Sequence, residues 1–89
     1  MHLTPKDIAD RLVQMYGNSP KGIIIDREAF EQQAERHGVD YRLVRSVDLE
    51  LRPMGYSLFD LLQERHCVVL LRISRVMEAL AHEDIKRAG

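Results

Sequence analysis

The chain has 89 residues, 45% apolar and 30% charged, with a formal net charge of −1, which fits one domain spanning 1–89 and is too short for a second core. A field this close to neutral does not draw the molecule towards phosphate, so any affinity for nucleic acid must come from a locally basic face. The single cysteine excludes an internal disulfide, and with no apolar signal core in MHLTPKD and no apolar run of membrane-spanning length the chain reads as cytoplasmic, with no membrane partner.

Thr4, Pro5 and Asp7 mark a helix start, with a hydroxyl N-cap, proline at the first helical position and an acid facing the positive end of the helix dipole. The first helix is expected from Pro5 to about Tyr16, with Ile8, Leu12 and Met15 at helical spacing and Ala9 and Tyr16 widening the stripe. Gly17 ends it, and residues 18–22 read as a loop. The β-branched run Ile23-Ile24-Ile25, bounded by Gly22 and Asp26, reads as a short strand. Asp26 is placed to cap a second helix, Arg27 to His37, with Phe30 and Ala34 inward and Glu31, Gln32 and Glu35 wet.

Gly38 sits where that helix stops in a left-handed cap, and Asp40 sits where the next one starts. Val39 and Val44 flank Asp40 as a hydrophobic staple would. The spacing predicts positive φ at Gly38 and burial of Val44 and Val47. At this point the sequence resembles the helix-turn-helix superfamily, whose pattern is an alanine, a glycine four residues on, and branched apolar residues ten and thirteen after the alanine. Ala34, Gly38, Val44 and Val47 match all four. The resemblance implies that the helix from Asp40 to about Arg52 enters the major groove of DNA. Small helical domains that only make protein contacts satisfy the same packing, so both readings stand.

At 100° per residue, Val44, Val47 and Leu51 define the buried direction of this helix, leaving Arg42, Arg45, Ser46 and Leu49 outward. The arginines suit guanine edges and phosphates, the serine suits either, and Leu49 suits a thymine methyl or a protein partner. Asp40, Asp48 and Glu50 balance Arg42, Arg45 and Arg52, a pattern that also fits a solvated mixed-charge face. Pro53 stops the helix, and Met54-Gly55-Tyr56 supplies a turn with Gly55 at positive φ.

Residues 57–88 contain neither proline nor glycine, and three arrangements compete for them. The favoured one is a helix from Leu58 to His66 capped by Ser57, a strand from Cys67 to Ile73 paired with Ile23 to Ile25, and a helix from Arg75 to Arg87 capped by Ser74. A second makes Ser57 to Ser74 the hairpin of a winged helix, although Glu64-Arg65-His66 lacks the glycine of a tight turn. A third joins Leu58 to Lys86 into one helix, because Phe59, Leu62, His66, Val69, Ile73, Val76 and Leu80 trace a heptad seam. Gly55-Tyr56-Ser57-Leu58, with Leu61-Leu62 and Val68-Val69, also resembles the LOTUS domain, a winged-helix-like module associated with RNA-processing proteins. The expected fold is thus mainly α: a helix-turn-helix, winged-helix-like core with one or two short β-strands and a C-terminal helix over about 75–87.

No catalytic chemistry is expected. His2, His37, His66 and His82 are scattered, and with Cys67 they form no paired metal spacing. Adjacent His66 and Cys67 point apart on a regular element, and no glycine-rich phosphate loop is present, so neither metal nor cofactor is implied. Two functions remain. The first is a DNA-binding (or RNA-binding) regulator of transcription that uses Arg42, Arg45 and Ser46 in the groove and Arg65, Arg72 and Arg75 on phosphates, since 65–77 is the one locally basic segment. The second is a protein-interaction module that docks through Leu49, Val76, Met77 and Leu80. The apolar stripe Val76, Met77, Leu80, Ala81 and Ile85 implies a homodimer, whose two-fold axis would set two copies of Arg42 and Arg45 about 34 Å apart on DNA.

Overall fold

The computed structural model describes residues 3–19 and 21–81, the side chains of 79–81 excepted. In chain order the elements are α1 (Pro5–Tyr16), β1 (Ile23–Asp26), α2 (Arg27–Ala34), α3 (Tyr41–Leu51) with a 3-10 turn Arg52–Met54, β2 (Tyr56–Leu61), α4 (Leu62–Arg65), β3 (Cys67–Arg72) and α5 (Ile73–Ala81). The three strands form one antiparallel sheet in the order β1-β3-β2. This overturns the mainly α expectation: helices and a sheet share the architecture, and the core lies between them.

The local signals at the starts of α1, α2 and α3 hold, whereas Ser74, expected to cap a helix from Arg75, lies inside α5, which begins at Ile73 directly after β3. Thr4 and Asp7 form a reciprocal capping box on α1. Hydrogen bonds from the Thr4 backbone N–H and then its hydroxyl hold the Asp7 carboxyl below the usual carboxylate range. Asp26 accepts from the Ala29 N–H and Asp40 from the Leu43 N–H, each at 3.0 Å. Strand β3 pairs with β1 as expected, Ile24 lying opposite Val69 and Ile25 opposite Val68.

Four expectations fail for identifiable reasons. The helix from Leu58 to His66 is instead strand β2 followed by the single turn α4, because Ser57 to Leu61 pair along β3, from Ser57 opposite Leu71 to Leu61 opposite Cys67. The hairpin closes without glycine: Asp60 accepts from the Leu62 N–H at 2.9 Å, and His66 takes the left-handed conformation at φ 54 while its N–H reaches the Leu62 carbonyl. The same pairing removes the heptad seam, whose members Phe59 and Val69 are neighbours across two strands and not along one helix. The helix expected to run to His37 stops at Ala34, since Glu35 supplies the left-handed cap at φ 54 and bonds back to Glu31 and Gln32. Gly38 therefore carries no cap; its φ is not positive, and a Cβ built there meets nothing within 4 Å.

One continuous core joins the layers, with Ile8 and Leu12 of α1, Phe30 and Ala34 of α2, Val44, Val47 and Leu51 of α3, and Leu58, Val68 and Leu70 of the sheet all buried. Met15, counted in the α1 stripe, is exposed, because the inward face turns from Leu12 towards Tyr16. Two polar clamps then fix the hairpin. Asp48, on the inner side of α3 and only 8% exposed, accepts from the Ser57 hydroxyl at 2.9 Å, the Leu58 N–H at 2.8 Å and the Arg52 guanidinium at 2.9 Å. At the same open end of the hairpin, the Gly17 carbonyl accepts from the Tyr56 hydroxyl at 2.9 Å and from Arg72 at 2.9 and 3.3 Å. Gly17 is needed for this approach, as a Cβ there would lie 2.9 Å from the Tyr56 oxygen.

Removing the Asp48 carboxylate leaves the Leu58 N–H and the Ser57 hydroxyl without a partner, so Asp48→Ala should lose about 2–4 kcal/mol of stability. Gly38→Ala, in open space, should be neutral or stabilise by up to about 1 kcal/mol through the unfolded chain. Paired denaturant titrations check both; the opposite ranking would contradict this assignment of the two positions.

Candidate functional site

Helix α3 has two unlike faces. Its entry is set by the Asp40 cap and by Val39 and Val44, both buried on either side of it. Leu43, Val44, Val47 and Leu51 pack into the core with Asp48 buried beside them, and the other positions face out by helical geometry. Arg42, Arg45, Ser46 and Leu49 all lie on that outer face, as the spacing predicts. Leu49 is 54% exposed, and Tyr41, at the first turn, is 62% exposed. The Arg42 guanidinium carbon stands 5.8 Å from the Tyr41 ring centroid, a cation–π distance, with Arg42 Nε 3.4 Å from the Tyr41 hydroxyl. Among the described residues neither Arg42 nor Arg45 forms an ion pair. The face thus offers two guanidiniums outside any ion pair among the described residues, one of them resting on Tyr41, with a hydroxyl, a leucine and the exposed Glu50 carboxylate.

Beside the start of α3 lies a groove of about 550 Å³ shared with the hairpin tip. Its charged lining is mostly acidic, from Asp40, Asp60 and Glu64. Arg27 also lines it, but donates to the Val39 carbonyl at 3.1 Å and stands 4.0 Å from the Glu31 carboxylate. Phosphate approaching from this side meets these three carboxylates.

The basic segment read from the sequence does not form one patch. Arg65 is exposed at the hairpin tip, while Arg72 is at the far end of β3, about 20 Å away at strand rise. Arg72 is half-buried and turned onto the Gly17 carbonyl, so it serves as a strut. Arg75 is exposed on α5, beyond the hairpin base. Of the expected docking stripe, Val76 is half-buried and Met77 exposed; the side chains of Leu80 and Ala81, and all of Ile85, lie outside the described residues.

Sequence reasoning missed two residues. Tyr41 was legible as the first outward position after the Asp40 cap. Asp48 carried a misleading signal, since its place among alternating charges suggested solvent. No family model matches the chain, and neither the curated proteins nor the solved structures contain a significant match.

The division of labour among the arginines is open to a simple check. Arg72→Ala removes two of the three hydrogen bonds to the Gly17 carbonyl, leaving that of the Tyr56 hydroxyl, and should destabilise by about 1–3 kcal/mol. Arg45→Ala touches no partner and should stay within about 0.5 kcal/mol of the parent. Thermal melts in which Arg72→Ala is silent would return that side chain to the pool of free surface cations.

Proposed function

We propose that the protein is a nucleic-acid-binding regulator of winged-helix type, non-enzymatic, with DNA as its partner and α3 as the reading element. The observation that carries this is the outer face of α3, where Arg42, Arg45 and Ser46 project without ion-pair partners from a helix whose opposite face is locked into the core. The element order supports it: a helix, a strand, two helices and then an antiparallel hairpin set beside the second of them is the layout of a winged helix. In this reading Arg42 and Arg45 reach guanine edges or phosphates, Ser46 supplies an adaptable hydroxyl, and Leu49 meets a thymine methyl. The acidic hairpin tip stands clear of the phosphates, so binding is led by the helix and is modest in affinity.

A second reading, docking of a protein through the same face, is favoured by the exposure of Tyr41 and Leu49. Aromatic and leucine side chains presented beside arginines also suit a protein contact.

Fluorescence anisotropy with labelled mixed-sequence DNA and RNA, read at about 50 and 200 mM salt, separates the two. Phosphate-driven binding weakens as salt rises, by roughly 0.9 in the logarithmic slope for each duplex phosphate neutralised. The double variant Arg42→Ala, Arg45→Ala should bind DNA at least about tenfold more weakly with an unchanged melting temperature. Absence of binding at low salt, or binding indifferent to salt and to both arginines, contradicts the regulator reading and leaves the protein-docking one.

A further inference from the structure

The two edges of the sheet are finished differently. On the β2 side, the Leu58 N–H that faces outward is taken by the Asp48 carboxylate, which blunts that edge against pairing. On the β1 side the Arg27 N–H bonds to the His66 carbonyl at 2.8 Å. With Ile25 opposite Val68 and Ile23 opposite Leu70, antiparallel alternation turns those residues towards β3. Ile24 is left with both its N–H and its carbonyl on the open edge, and Asp26 with its N–H there. Ile24 is 73% exposed, so no described element covers it. Its side chain also begins an apolar row across the outer face of the sheet, Ile24 beside Val69 beside Phe59.

We propose that the open β1 edge pairs antiparallel with β1 of a second copy of this chain, with the two-fold axis passing between the two Ile24 residues. An isologous contact needs a strand that complements itself, and β1 does so in two ways. At its centre Ile24 presents one donor and one acceptor, which two copies exchange as a hydrogen-bonded pair. Around it, Lys21 precedes the strand while Asp26 and Glu28 follow it, all exposed and none in an ion pair among the described residues. Antiparallel pairing about Ile24 sets Lys21 of each copy opposite Arg27 of the other and between its Asp26 and Glu28; Arg27 is turned onto the Val39 carbonyl and the Glu31 carboxylate, so the two acids outweigh it. A parallel arrangement would stack like charges instead. The pairing extends the sheet to six strands and makes the two Ile24–Val69–Phe59 rows one strip. The contact falls below the roughly 1,200 Å² of standard interfaces, so the dimer is weak and forms at tens to hundreds of micromolar. It is independent of what α3 binds.

Sedimentation velocity on the wild-type chain, from about 10 to 500 µM, tests this together with six variants. The wild type should shift from monomer to dimer across that range. Ile24→Lys places two ammonium groups at the axis, and Ile24→Pro deletes only an N–H that faces the open edge. Both should raise the dimer Kd at least about tenfold while melting like the parent. Lys21→Glu and Glu28→Lys should each weaken the dimer, and the double exchange Lys21→Glu, Glu28→Lys should restore it. A wild-type chain that stays monomeric at 500 µM overturns the proposal. So does a dimer that persists in both Ile24 variants, or one that is lost only in Leu80→Glu, which would place the contact on α5.

Discussion

A carboxylate inside the molecule joins its helical half to its sheet. Asp48 sits on the inner side of α3, and burying an ionised group there costs several kcal/mol unless its oxygens are filled. Three donors fill them: the Ser57 hydroxyl and Leu58 N–H on one oxygen and the Arg52 guanidinium on the other. The hairpin can therefore take one position against α3, with the start of β2 pinned to the last turns of the helix. The same bond takes the outward Leu58 N–H and so blunts the β2 edge of the sheet, leaving β1 the more open one. A second clamp, from Tyr56 and Arg72 to the Gly17 carbonyl, ties the hairpin base to the end of α1. The first clamp fixes α3 against the hairpin and the second fixes the hairpin against α1, which is the preorganisation that the proposed binding face would draw on.

The parts of the fold that were legible are those whose cause is local. Thr4, Asp26 and Asp40 cap helices through bonds to residues three positions on, and such bonds leave a signature in the sequence. Strand β3 was legible because an apolar run on both faces suits a central strand, and it lies between β1 and β2. Strand β2 was not. Leu58 faces the core while Phe59 and Leu61 lie on the other face of the sheet, and that pattern resembles a helical stripe when the pairing partner is unknown. The α2 cap was missed because Glu35, not the nearby Gly38, adopts the left-handed conformation. That choice follows from where Ala34 meets the core, a tertiary requirement that outweighs the preference of glycine for such caps.

The candidate site divides in the same way. Helical periodicity alone places Arg42, Arg45, Ser46 and Leu49 outward, and they lie there. The roles of Asp48 and Arg72 depend on atoms nine or more residues away, at Ser57, Leu58 and Gly17. A count of charges along the chain reads both as surface groups, and so a basic segment in sequence became three arginines in three environments.

Amide hydrogen exchange at Leu58, in protein dilute enough to be monomeric, measures the tie between α3 and the hairpin directly. Leu58 lies on an outer strand with its N–H turned away from β3, yet with Asp48 closing it the amide should exchange as slowly as those of Val68 and Leu70 in the centre of the sheet. Exchange at Leu58 as fast as at the open-edge amide of Ile24 would show that the carboxylate does not hold the strand.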